Sequence, residues 1–172
     1  MELDNYKHIK DLVIVMIKYG SVVGSEEFEK CFDNDGSYFQ AKHMGILRIG
    51  NNVQIDEYVI IDRPLFNWDE TVIGNHTFLG KKSYVGHGCK IGCNCIIAPS
   101  AFICGNTVIG QRSKIGIGSI ISNRLHLGNE VEVSIGSVVN KNVSDGMKVT
   151  GYLAFDHYKF MQCYKNTIAP YF

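Results

Sequence analysis

From Ile49 to Val139 every sixth residue is aliphatic, with Asn67 the single exception. Fifteen of sixteen positions obey the rule although Ile, Leu and Val make up only 43 of the 172 residues, so chance placement does not account for it. A fixed period constrains the fold before any local propensity does, because each repeat buries its apolar face only against its neighbours. Six residues suit one short strand and one corner.

The remaining positions of the hexad agree. Gly follows the aliphatic residue at 50, 74, 80, 86, 92, 110, 116 and 128, and four places after the aliphatic stands a small or branched residue such as Thr71, Thr77, Ser83, Cys89, Cys95 or Ala101. Gly, Asn and Asp crowd the intervening positions, where a tight corner calls for positive φ. Three hexads close a triangular coil, so like positions stack eighteen residues apart. The spacing predicts an all-β fold, a parallel β-helix with five complete coils over 49–138 and a sixth beginning at Val139.

Three segments follow: a lead-in over 1–44, the β-helix over 45–150 and a tail over 151–172. In the lead-in Leu3, Tyr6, Ile9, Val13 and Met16 fall at helical spacing, with Gly20 as a stop. The tail predicts a bend at 151–154 and a short helix over 155–165 that caps the last coil.

Composition narrows the function. Formal net charge is zero, which gives no support to nucleic acid as a partner. The longest apolar run, Leu12 to Ile17, is too short to span a bilayer, and no basic segment with a cleavage site precedes it, so a cytoplasmic protein without stable membrane insertion is expected. Cys93 and Cys95 form C-x-C, no other cysteine pair has ligand spacing, and no metal is expected. Cys89 and Cys95 fall on the small inward position and read as packing residues. Free thiols fit a reducing compartment.

Of six histidines, His87 stands apart in Val85-Gly86-His87-Gly88-Cys89, between two glycines and without charged neighbours. Stacking by eighteen places Gly105 above it and Asp69, followed by Glu70, below it. Two further steps reach Asn123, with Arg124 beside it, and Lys141. The column therefore offers an imidazole, a backbone amide free of side chain, a carboxylate and a basic strip.

From Asp33 onward the chain resembles the β-helical portion of the UDP-3-O-acylglucosamine N-acyltransferases of lipid A synthesis. The stretches that carry the likeness are Asn34-Asp35-Gly36, Gly45-Ile46-Leu47-Arg48-Ile49-Gly50, Ile61-Asp62-Arg63, Asp69-Glu70-Thr71-Val72-Ile73-Gly74 and Tyr84 to Gly92. Ile97-Ala98-Pro99-Ser100-Ala101 and Gly151-Tyr152-Leu153-Ala154 are equally similar to the acetyltransferases that modify sialic acids and bacillosamine-type sugars. The resemblance implies a left-handed hexapeptide β-helix, a homotrimer with sites between subunits, and His87 as general base. It also implies acyl transfer to an amine or hydroxyl of a sugar or nucleotide-linked sugar in surface-glycan or lipopolysaccharide synthesis.

The oxyanion then falls to the Gly105 amide, orientation of the imidazole to Asp69, and the coenzyme A phosphates or an acidic acyl carrier protein to Asn123, Arg124 and Lys141. Some sugar acetyltransferases carry an acid directly after the histidine, where this chain has Gly88, and close on proline where it has Leu153. The lipid A enzymes add a uridine-gripping domain that 44 residues do not hold. Acetyl-CoA is therefore the expected donor, with a hydroxyacyl carrier protein as the alternative. A non-catalytic hexapeptide scaffold is the rival of another class. A zinc site across subunits is disfavoured because His76, His87 and His126 occupy different hexad places.

Overall fold

The computed structural model describes residues 15–26, 30–151, 156–163 and 165–166. Its strands stack in three parallel sheets of seven, six and five strands, which form the faces of a left-handed β-helix. The chain visits the faces in a fixed order. Val53–Ile55 lies on the first face, Ile60–Asp62 on the second and Glu70–Ile73 on the third, and each later coil repeats this.

The period-six aliphatics form the core. Ile55, Ile61, Ile73, Leu79, Val85, Ile97, Ile103, Ile115, Ile121 and Leu127 are all almost fully buried, one above another. Val85 pairs with Ile103 and Ile103 with Ile121, so the step of eighteen holds from Ile73 to Val139, above which it shortens to sixteen, with Leu127 paired to Val143 and Val133 to Val149. Below that point it fails. Ile49 pairs with Ile73, Ile55 with Leu79 and Ile61 with Val85, a step of twenty-four. The count of five equal coils from Ile49 is corrected accordingly: the hexad holding Asn67 is a loop over 63–69 that leaves the stack and returns.

The hexad glycines also need correction. Positive φ falls on the fourth residue of each hexad, taken by Asn52, Tyr58, His76, Lys82, Asn94, Ser100, Asn106, Arg112, Arg124 and Glu130 as well as by Gly88, Gly118 and Gly136. The glycines after the aliphatic residue serve another purpose. A Cβ on Gly74 would stand 2.5 Å from the Gly92 carbonyl carbon, and one on Gly86 would stand 2.7 Å from the Gly105 nitrogen. They admit the backbone of the next coil. The small inward residues complete each corner by donating to that coil: Thr107 Oγ1 to the Ser122 carbonyl (3.0 Å), Ser113 Oγ to Gly128 (3.1 Å) and Cys89 Sγ to Cys104 (3.1 Å). Cys89 thus fills the same place as Ser or Thr.

The solenoid begins earlier than the period shows. Val15–Ile17 pairs with Val53–Ile55, and Val22–Ser25 with Ile60–Asp62, both parallel. The described end of the helical stretch expected over 3–16 is therefore a strand, and the rest of it lies outside the described residues. Ile17 and Val23 continue the six-residue step as a base coil. Lys18 Nζ and Asp56 tie that coil down with an ion pair at 2.6 Å. In the tail His157–Cys163 is the expected short helix; the bend at 152–154 lies outside the described residues.

Candidate active site

One corner of the prism differs from the other two. Between the second and third faces the chain makes its long excursions, described over 30–44 and again over 63–69. The next coil crosses the same corner tightly through Gly86-His87-Gly88-Cys89. His87 therefore stands directly above two projecting loops, which are joined by Met44 N–H to the Leu65 carbonyl and Gly45 N–H to the Pro64 carbonyl.

His87 is half-buried, and its ring lies against Gly105. A Cβ on Gly105 would be 2.2 Å from His87 Nε2 and 2.5 Å from Cδ2, so any side chain there would displace this imidazole. Asn106 N–H donates to the His87 carbonyl at 2.7 Å and locks the two coils in register. Gly105 is itself buried, and no described backbone carbonyl accepts from its N–H.

Asp69 reaches the same place from below, on the return limb of the 63–69 loop. Its Oδ2 lies 3.4 Å from the position of a Gly88 Cβ, and its Oδ1 accepts the Glu70 N–H at 2.8 Å. A carboxylate from the coil below thus stands beside the residue after the histidine. Gly88 N–H donates to Thr71 Oγ1 at 2.9 Å, and Thr71 Oγ1 in turn to the Asp62 carbonyl at 2.9 Å, which fixes the corner's geometry.

Asn123 continues the column, as the pairing of Ile103 with Ile121 requires, and Lys141 lies in the next turn of the same corner, which is two residues shorter because Leu127 pairs with Val143. Asn123, Arg124 and Lys141 are exposed, and Arg124 N–H donates to the Gly105 carbonyl at 3.0 Å. Lys141 borders a cavity of about 200 Å³ with Ser137, Asn140, Asn142 and Thr150. His76 and His126 lie elsewhere, at a different corner and on the third face. Among the described residues no group of three or more His, Cys, Asp or Glu is placed to hold a metal.

The sequence reading gave Asp62 no role of its own. Its carboxylate is 2% exposed, with Ser25 Oγ donating to Oδ1 at 2.6 Å and the Tyr84 hydroxyl to Oδ2. It borders a groove of about 350 Å³ with Ser25, Tyr84 and Phe102 beside the histidine corner. The available signal was an acid at the hexad position that other repeats give to glycine. Cys89, at the floor of the corner, has its thiol pushed up to about 12 by burial, so it stays protonated and is no nucleophile.

Residues 70–105 match the model of the bacterial transferase hexapeptide (six repeats) family. The chain carries the bacterial transferase hexapeptide repeat. Across 139 residues this hexapeptide-repeat chain is 30% identical to the UDP-3-O-acylglucosamine N-acyltransferase of Bordetella pertussis, a match covering 79% of the chain and 38% of that relative. It thus spans under half the length of the curated relatives it matches. Among solved structures it is similar to LpxA from Acinetobacter baumannii, with a TM-score of 0.71 at 22% identity over 86% of this chain and 56% of that one. It also superposes on a perosamine N-acetyltransferase from Caulobacter crescentus in complex with CoA and GDP-perosamine, with a TM-score of 0.62 at 19% identity over 84% and 58%.

Proposed function

We propose that this chain transfers an acyl group from a thioester to an amine or hydroxyl of a sugar, at the corner that carries His87. The observation that carries the reading is the imidazole lying on Gly105, whose N–H has no described backbone acceptor. A sugar ammonium first loses a proton to become the free amine. The neutral amine then attacks the thioester carbon, and His87 takes its second proton as the C–N bond forms. The carbonyl oxygen gains negative charge and accepts from the Gly105 N–H. Collapse breaks the C–S bond, and His87 returns the proton to the departing thiolate. Asp69, beside Gly88 on the coil below, orients the imidazole.

The donor is acetyl-CoA in this reading, with Asn123, Arg124 and Lys141 meeting its phosphates along the column above His87. The CoA in the Caulobacter structure supports it, whereas the curated relatives are named as N-acyltransferases of a UDP-3-O-acylglucosamine, which keeps a hydroxyacyl carrier protein as the alternative donor. Competition between acetyl-CoA and a hydroxyacyl carrier protein decides; preference for the carrier returns the chain to lipid A chemistry. The principal test is His87→Ala. The rate should fall about 10²-fold or more with the fold retained. An unchanged rate removes the histidine from the mechanism and leaves a scaffold.

The assembly is a homotrimer in this reading, and the second face supports it. Its outward residues, Val22, Ile60, Tyr84, Phe102, Ile120 and Val138, form an unbroken apolar ladder of six rungs. On the third face the same column alternates, with Arg48, Lys90 and His126 separated by Val72 and Val108. A ladder of this kind calls for cover, and it ends at the histidine corner. Among the described residues no helix is long and apolar enough to cross a membrane, and the free thiols of Cys89, Cys93, Cys95 and Cys104 fit the cytoplasm as the compartment.

A further inference from the structure

The loop over 63–69 carries a feature that the mechanism above leaves unused. Trp68, the only tryptophan of the sequence, is 78% exposed, and Phe66 is 49% exposed. Their rings are stacked on each other with centroids 4.7 Å apart and planes 8° from parallel. Phe66 covers one face of the indole and leaves the other to solvent.

The segment beneath them is built to hold still. Asp69 N–H donates to the Phe66 carbonyl at 3.1 Å, closing a turn over 66–69. Ile46 N–H donates to the Asp69 carbonyl at 3.0 Å, and Pro64 is packed so tightly on Gly45 that a Cβ there would lie 2.6 Å from it. A pinned, solvent-facing aromatic pair forfeits apolar burial that a freer loop would recover.

We propose that the Phe66–Trp68 stack is the platform for the sugar ring that bears the acceptor group. This rests on the His87 corner being the transfer site. Trp68 adjoins Asp69, which stacks under His87, so its backbone is about one residue step of 3.8 Å and one rung of 4.8 Å from the base. That is the width of one sugar ring. A nucleobase linked through phosphates would lie well beyond it. The C–H face of a pyranose carries slight positive charge and suits the negative face of an indole, while its edge hydroxyls need acceptors. Asn67, Asp69 and Glu70 stand next to Trp68 in the chain and carry side-chain oxygen acceptors. Glu70 is itself held by Arg48, and the two carboxylates disfavour a pyrophosphate at this spot.

Because Trp68 is the sole tryptophan, its fluorescence reports on this loop alone. Titration of the full chain with glucosamine, UDP-glucosamine and UMP should change the emission with the first two and leave it unchanged with UMP. Equal response to UMP would make the stack a base platform and overturn the sugar assignment. Emission that is blue-shifted in the free protein and moves red on dilution would place Trp68 in a subunit contact, which also overturns it. Silence toward all three probes at millimolar concentration does the same. In turnover assays Trp68→Ala should raise the acceptor KM roughly tenfold with kcat and the donor KM little changed, and Trp68→Phe should restore most of the loss. Loss of activity in His87→Ala with no KM effect in Trp68→Ala sinks only the platform. Full activity in His87→Ala sinks the site on which it rests.

Discussion

At the scale of single residues, glycine does two different jobs in this chain, and substitutions separate them. Gly74 is there because the Gly92 backbone lies where its Cβ would be, so Gly74→Ala forces neighbouring coils apart. A loss of roughly 1–3 kcal/mol is expected from chemical denaturation. Lys82 is the converse: an exposed side chain at φ 59°. Lys82→Gly relieves that conformation and should leave stability unchanged or raise it by up to about 1 kcal/mol. The reverse ordering would mean that the corners, not the stacking, set the glycine pattern. Gly105 belongs to the first kind, but its neighbour is the His87 ring. Gly105→Ala should displace the imidazole and lower kcat about as much as loss of the base, with the circular dichroism spectrum kept. Wild-type kcat in that variant would show that the ring position is immaterial to catalysis.

The elements that matter most are the two excursions and the base coil. Both excursions leave by one corner because the second and third faces are joined there in every coil, so a loop inserted at that joint disturbs no pairing above it. The base coil is held by pairing to the next coil and by Lys18 with Asp56. The Lys18 ammonium, donating to Asp56, holds that carboxyl below its usual range, and the same contact raises the lysine. A carboxylate depressed in the folded state adds stability above its unfolded pKa, about 3.9, which is lost as pH falls through the folded value. A raised lysine adds stability below its unfolded pKa, about 10.4, which is lost as pH rises through the folded value. The stability gap between wild type and Lys18→Met should therefore be level between about pH 5 and 9 and shrink on either side. Urea titrations across pH measure it, and a gap that persists at pH 2 would assign the effect to packing of the lysine stem. Salt should narrow it, since Lys18 is partly exposed.

At the scale of the molecule, the apolar ladder of the second face governs assembly. Ile120 is its fifth rung and 44% exposed, on the outer side of the sheet. Ile120→Arg should leave the β-helix folded and yield a smaller species by light scattering; an unchanged mass would direct the subunit contact to another face. How much of this was legible beforehand follows from the physics of repetition. A core that extends along one axis requires the same inward residue at every step, so Ile73, Ile91 and Ile109 announce the faces, the stacking interval and the pairing of His87 with Gly105. The base coil was hidden because Val15–Ile17 and Val22–Ser25 hold only one step before the chain departs, too few for a period to stand out. Asn67 marked a break without its meaning, since a loop that keeps a multiple of six leaves the phase intact on both sides. The sequence by itself determined the prism, its core and the column through His87, because those depend on residues at fixed intervals. Only the tertiary structure decided that Ser25, Asp62 and Tyr84 meet beside that column, and that Phe66 and Trp68 stack on each other in the loop at its foot. Such contacts join residues at unequal separations, and no interval in the chain encodes them.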